Sequence, residues 1–154
     1  MRKAYAVLAW AIPVLVVIQA MAIAFALFGL GKWVEDGGTL DKATMESDKS
    51  VGFTGEAGFM IHGIFGEMLI PLVAILLLVV SFFTKVPGAS KWAGFVLLDV
   101  VVQIALAFMS FGAPVIGPLH ALNAFVLAML GVLAARRVGT GEITSPAPAA
   151  SPVT

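Results

Sequence analysis

The sequence predicts an all-α membrane protein, a bundle of four transmembrane helices with both termini cytoplasmic. The 154 residues are 60% hydrophobic and 12% charged, whereas a soluble domain carries about 25% charged residues. Four apolar stretches each approach or exceed the roughly 20 residues that a helix needs to cross a hydrocarbon core about 30 Å thick. This composition excludes a water-soluble enzyme and a nucleic-acid-binding domain. The absence of Cys excludes disulfides, iron–sulfur clusters and covalently attached haem.

The spans are predicted, in chain order, at residues 5–30, 57–83, 92–111 and 114–135. The first is too long for a cleaved signal peptide, whose apolar core has about 7–15 residues, so we expect it to be retained. Short links at 84–91 and 112–113 make neighbouring helices antiparallel. Pro71 is expected to kink the second span.

One transmembrane domain is therefore expected over residues 1–139. Residues 31–56 form an outer loop, with a short interfacial helix expected at 40–46. Residues 140–154 are of low complexity and are expected to form a disordered cytoplasmic tail.

The distribution of charge predicts how the bundle is oriented. Six of the nine basic residues fall at the end that holds both termini, which predicts that this end is cytoplasmic: Arg2, Lys3, Lys85, Lys91, Arg136 and Arg137. The outer loop carries most of the acidic residues. We therefore expect a multi-pass protein of the cell membrane.

The only two histidines lie inside spans at matching depth. His62 is six residues after Glu56 and His120 is six after Pro114, so each lies about 9 Å below the outer boundary. Two neutral imidazoles on different helices can ligate one haem b, which needs no covalent link. The sequence therefore predicts His62 and His120 as its axial ligands.

Small residues share the helix faces of both histidines, at spacings of three or four. Gly58 and Gly66 flank His62, while Gly117 and Ala124 flank His120. We predict that they line a flat slot for the porphyrin. The alternative is that such stripes pack membrane helices closely and that each His donates one interhelical hydrogen bond.

A zinc site is a weaker use of the same histidines, because zinc requires three or four protein ligands. Glu67 would be the third ligand, but it lies five residues from His62, about 140° around the helix.

Two carboxyl groups, those of Glu67 and Asp99, are predicted near the middle of the membrane, where they could meet. The functional interpretation is a proton relay, or a base for quinol oxidation beneath the haem. The structural interpretation, which we favour, is a neutral acid–acid or acid–amide hydrogen bond involving Gln103 or Gln19. Asn123 shares the face of His120 and could orient a ligand.

The contexts Phe-Met-Ile-His-Gly-Ile-Phe-Gly-Glu at 59–67 and Pro-Leu-His-Ala-Leu-Asn-Ala at 118–124 resemble a group of small actinobacterial-type four-helix membrane proteins of unassigned function. The resemblance covers residues 4–137. More broadly, the arrangement is similar to four-helix b-type cytochromes and to the haem-bearing anchors of quinone-linked respiratory enzymes. It implies axial-ligand roles for His62 and His120. Two-haem membrane cytochromes need four histidines, so the chain departs from them.

These features together lead to a functional hypothesis: one haem b near the outer face, for electron transfer or redox sensing within a larger respiratory or transport complex. One haem cannot bridge about 30 Å, so electrons would need an outer-face partner or a quinone in the bilayer. The first alternative is a cofactor-free accessory subunit. The second is a proton-coupled carrier using Glu67 and Asp99, which the absence of an inverted repeat makes less favourable.

Overall fold

The computed structural model describes residues 1–47 and 49–140, the last without its side chain. The chain folds into helices α1 (Arg2–Glu35), α2 (Lys42–Met45), α3 (Ala57–Ile64), α4 (Ile70–Ser81), α5 (Ala89–Gly112) and α6 (Gly117–Thr140). A π-helical segment, Phe65–Leu69, joins α3 to α4, and a 3₁₀ turn, Pro114–Ile116, precedes α6.

The prediction of four membrane-spanning helices is confirmed. Four helical stretches are long and apolar enough to cross a bilayer, namely Arg2–Glu35, Ala57–Ser81, Ala89–Gly112 and Pro114–Gly139. Each of these four stretches matches a predicted span, and α1 begins three residues before its predicted span and ends five residues after it. The tail predicted at 140–154 lies outside the described residues, apart from the backbone of Thr140.

The second span is interrupted where the sequence predicted a kink. Pro71 lies in the first turn of α4, directly after the π segment. A proline inside a helix donates no backbone hydrogen bond, and its ring crowds the carbonyl four residues earlier, which here is that of Glu67. A wider π turn before the proline accommodates both effects. Pro13, by contrast, lies inside the continuous helix α1.

The hydrophobic core lies in the half of the bundle nearest the termini, which we call the terminal end. Helix α1 packs against α3, α4 and α6, and α5 packs against α4 and α6. The fully buried large side chains all lie in this half: Tyr5, Ile12, Leu77, Leu127, Val96 and Val100. At Gly131 a Cβ would come within 2.7 Å of the Pro13 ring and 2.9 Å of the Ile12 side chain. A glycine there lets α6 approach α1 closely.

The opposite half, which we call the loop end, carries residues 36–56. The expected short helix is present as α2, where the Asp41 carboxylate caps the helix by accepting the Thr44 N–H at 2.7 Å. Glu56 closes the loop, because its carboxylate accepts the Ser50 hydroxyl at 2.5 Å and the N–H groups of Val51 and Gly52, each at 2.9 Å. These bonds, the one from Ser50 foremost, lower the pKa of Glu56 below its ordinary value.

Candidate functional site

The rings of His62 and His120 lie together at the same depth in the bundle. Their centroids are 6.3 Å apart and their planes are inclined at 73°. His62 lies on α3 and His120 on α6, and both are half-buried. Two residues 58 positions apart in the chain therefore face each other across the bundle.

Gln19 of α1 holds His62 through both its main chain and its side chain. The Nδ1 of His62 lies 3.2 Å from the main-chain oxygen of Gln19. In the amide orientation that satisfies its neighbours, Gln19 donates to the His62 carbonyl at 2.9 Å and accepts the Gly66 N–H at 3.1 Å, with its Nε2 2.8 Å from Nδ1. Only 7% of Gln19 is exposed, so its amide is satisfied by these contacts rather than by water.

Gln103 of α5 holds His120 in the same manner. The Nδ1 of His120 lies 3.1 Å from the main-chain oxygen of Gln103. The Gln103 Nε2 donates to the His120 carbonyl at 3.0 Å and lies 3.4 Å from His120 Nε2. Its Oε1 accepts the Asn123 amide at 2.8 Å. Each histidine is thus fixed by a glutamine on the preceding membrane span.

Sequence reasoning considered Gln19 and Gln103 only as partners of the buried acids, and so missed this role. The signal was present, because the segments Val-Val-Ile-Gln at 16–19 and Val-Val-Val-Gln at 100–103 repeat the same pattern. In each half of the chain, the span that contains this motif is followed by the span that carries the His.

When its proton is on Nδ1, each ring donates to the glutamine main-chain oxygen. For His120 this tautomer places the Nε2 lone pair 3.4 Å from the Gln103 amide nitrogen. For His62 the same Nδ1 also lies 2.8 Å from the Gln19 amide nitrogen, which would donate to it only if the proton were on Nε2. A main-chain carbonyl beside Nδ1 can fix the orientation of a metal-ligating imidazole, and Gln19 and Gln103 each supply one.

The small residues predicted to line a porphyrin slot divide into two groups. A Cβ at Gly58 would collide with the Ala22 carbonyl oxygen and lie 3.1 Å from the Ala26 Cβ, and one at Gly66 would lie 3.6 Å from the Gln19 amide. Gly58 thus permits the close packing of the second span against α1, whereas a Cβ at Gly66 would make only an ordinary van der Waals contact.

The small residues beside His120 are less constrained. A Cβ at Gly117 would meet no atom within 4 Å among the described residues. Ala124 is half-buried. These positions leave space beside the His120 ring.

The structure does not pair the two acids whose matching depths would have allowed them to meet. Asp99 is half-buried, and its carboxylate accepts the Asn123 amide at 3.4 Å. Glu67 lies in the π segment with its side chain exposed, and it forms no hydrogen bond or ion pair with any described residue. The acid–amide interpretation therefore describes Asp99, with Asn123 as the amide, whereas Glu67 faces away from the bundle interior.

The loop end of the bundle is loosely packed around the histidines. None of residues 101–126, which make up the loop-end halves of α5 and α6, is buried. Helix α3 packs against α1 and has no comparable contact with α5 or α6. The two histidines thus lie where α3, the loop-end part of the second span, has few contacts with α5 and α6.

Within the described part of the chain, no three His, Cys, Asp or Glu side chains come close enough to hold a metal ion by themselves. A haem iron takes four donors from the porphyrin, so two histidines complete its coordination. Comparisons with protein-family models, with characterised proteins and with solved structures find no match to this chain.

Proposed function

We propose that this protein binds one haem b between His62 and His120 and transfers single electrons, or senses redox state, at the loop end of the bundle. The observation that carries the proposal is the 6.3 Å separation of the two ring centroids. The positions of the ring nitrogens and the loose packing of the loop end support it.

The separation fits two imidazoles bound to one iron. A metal–imidazole nitrogen bond is about 2.0–2.1 Å long, and a five-membered ring with bonds of about 1.33 Å has a radius of about 1.1 Å. Two such bonds and two such radii in line place the ring centroids about 6.3 Å apart. The inclination of 73° is compatible, because each ring can rotate about its own metal–nitrogen bond.

Packing supports the same assignment. A protein interior is normally filled to the density of an organic crystal, and the fully buried large side chains of this bundle lie in its terminal half. In the loop-end half, the two half-buried imidazoles lie beside the stretch 101–126 of α5 and α6, in which no residue is buried. An apolar prosthetic group of porphyrin size would supply the missing packing.

The residues of this chain would hold and tune the group. Bound haem supplies one-electron redox chemistry at its iron. His62 and His120 would ligate the iron, Gln19 and Gln103 would orient the two imidazoles, and the apolar helices would exclude water. Electrons would come from a partner at the outer face or from a quinone in the bilayer, since one haem cannot bridge a core about 30 Å thick.

The charge distribution supports a cell-membrane location with both termini in the cytoplasm. Arg2 donates to the main-chain oxygen of Val138 at 2.8 Å, and Arg137 lies 4.8 Å from the Trp92 ring. Both contacts gather cationic groups at the terminal end, where the positive-inside rule places the cytoplasm. The haem would then lie near the outer face.

Glu67 supports the proposal that the protein belongs to a larger membrane complex. A carboxyl exposed within a membrane span is costly, and such groups normally face a bundle interior, a cavity or a partner. A helix of another subunit that donates a hydrogen bond to Glu67 would remove this cost. The same observation favours the second candidate function, a cofactor-free accessory subunit that docks through this face.

Haem titration of the purified full-length protein separates the two candidates. We expect the wild type to bind one haem per chain with a sharp Soret band and a dithionite-reduced spectrum typical of a b-type cytochrome. His62→Ala and His120→Ala should each abolish this spectrum, and Met109→Leu, which removes a thioether from the loop-end half of α5, should retain it. A wild type that binds no haem would leave only the accessory-subunit function, and a haem spectrum unchanged in both His variants would overturn ligation by this pair.

A further inference from the structure

The surroundings of His62 and His120 differ in their polar side chains, and the difference is not needed to hold either histidine. On the His120 side, Asn123 and Asp99 extend the polar network one helical turn beyond Gln103. The corresponding positions on the His62 side, four residues before Gln19 and three after His62, are occupied by leucine and phenylalanine. Because His62 is held without such an extension, the Asn–Asp pair has another use.

Asn123 lies on the wall of a groove between α5 and α6. The groove has a volume of about 270 Å³ and is lined by Leu106, Leu119, Leu122, Asn123 and Val126. Asn123 is its only polar lining residue. Leu119, Leu122 and Val126 are exposed on the outer surface of the bundle, so the groove opens toward the lipid.

The hydrogen bonds of Asn123 leave its carbonyl oxygen available. Its Nδ2 donates to Gln103 Oε1 at 2.8 Å and lies 3.4 Å from the Asp99 carboxylate. Its Oδ1 accepts no hydrogen bond from any described residue. Two acceptors therefore fix the nitrogen of the amide, which orients the oxygen as the one acceptor that the groove offers to a ligand.

We propose that this groove binds the hydroxyl-bearing ring of a lipid-soluble quinol, with the O–H donating to Asn123 Oδ1. Leucine and valine side chains suit the faces of an apolar ring, and an opening toward lipid admits a ligand dissolved in the bilayer. The volume is at the low end for ligand pockets, which span about 300–1,000 Å³, and so fits a single ring whose tail remains in lipid. Asp99 acts as a positioning residue, since it touches Asn123 rather than the ligand.

The position of the groove connects it to the histidine pair. Gln103 contacts Asn123 through its Oε1 and the His120 carbonyl through its Nε2. The Gln103 side chain therefore links Asn123, which would bind the ligand hydroxyl, to the main chain of His120. This inference rests on the proposed function for the role of the quinol as a source of electrons. Binding itself requires only the groove, and it is measurable without haem.

The test is binding of 2-heptyl-4-hydroxyquinoline N-oxide, a fluorescent hydroxylated ring with an alkyl tail, to haem-free full-length protein in quinone-free nanodiscs. We expect saturable binding that Asn123→Leu weakens about tenfold, the loss equivalent to one hydrogen bond of about 1.4 kcal/mol. Leu122→Trp should abolish binding by filling the groove.

Leu98→Trp is the matched control, because Leu98 is 62% exposed and Leu122 is 61% exposed, and Leu98 does not line the groove. It should bind the probe like the wild type. Equal binding by wild type and Leu122→Trp would overturn the proposal. So would equal affinity for 2-heptylquinoline, which lacks the hydroxyl, since that result indicates an apolar surface only. If the protein ligates haem but binds no probe, only this inference is overturned. If it binds the probe but no haem, only the proposed function is overturned.

Discussion

Replacing Gly58 by alanine tests whether this residue packs the second span against α1. A Cβ at Gly58 would collide with the main-chain oxygen of Ala22, and would lie 3.1 Å from the Ala26 Cβ and 3.2 Å from the Ala22 carbonyl carbon. A backbone carbonyl in a helix cannot rotate away, so the two helices must separate. Overpacking of this kind costs about 1–3 kcal/mol.

Gly63→Ala is the matched control, because a Cβ at Gly63 would meet no atom within 4 Å among the described residues. Both substitutions gain the same helix propensity, about 1 kcal/mol, so the difference between the two variants isolates the collision. At about 2–4 °C per kcal/mol for a chain of this size, Gly58→Ala should unfold about 2–12 °C below Gly63→Ala, measured by circular dichroism in one detergent. Equal unfolding temperatures would refute the packing assignment.

Three further predictions concern the glutamine support, the outer loop and the exposed acid. Gln103→Leu removes the side-chain bonds to the His120 and Asn123 positions but keeps its main-chain acceptor, so haem affinity in a titration should fall about tenfold; an unchanged affinity would show that the amide does not position the ring. The lowered pKa of Glu56 means that loop stability is complete above the ordinary carboxyl pKa and is lost as pH falls through the lowered value. At each pH, the rate at which pepsin cleaves the wild-type loop is divided by the rate for Glu56→Gln. This ratio should rise toward one as the pH falls toward 3. A ratio that does not change with pH would contradict this prediction. Glu67→Leu should leave the unfolding temperature in nanodiscs unchanged or raise it, whereas Asp99→Leu should lower it; an equal loss in both variants would mean that Glu67 has a partner within the chain.

Apolar length predicted the spans well, because a bilayer imposes one requirement that each helix must meet. The equal depth of His62 and His120 was also predictable, since depth depends only on residue count from a helix end. The structure brings the two rings together as that reasoning requires.

The rotation of each helix about its own axis was harder to predict. The matching depths of Glu67 and Asp99 allowed a contact between them, but the π segment and Pro71 alter the helical phase where Glu67 lies. A hydropathy pattern does not report this change, and Glu67 is exposed as a result. The role of Gly58 in helix packing was equally hard to predict, because it depends on which helix lies beside this residue.

The partners of the histidines could not be deduced from single residues. Gln19 acts through its main-chain oxygen as well as its amide, and any residue type carries a main-chain oxygen. Only the repetition of a glutamine in the span preceding each histidine points to this role.

The most direct test of the histidine-ligated haem is an electron paramagnetic resonance spectrum of the ferric haem complex of the full-length protein. Two neutral imidazoles whose planes are inclined at 73° predict a six-coordinate low-spin signal with the large anisotropy of near-perpendicular ligand planes. His62→Ala and His120→Ala should each convert it to a high-spin signal. A high-spin signal in the wild type, or a low-spin signal that persists in both variants, would contradict ligation by this pair.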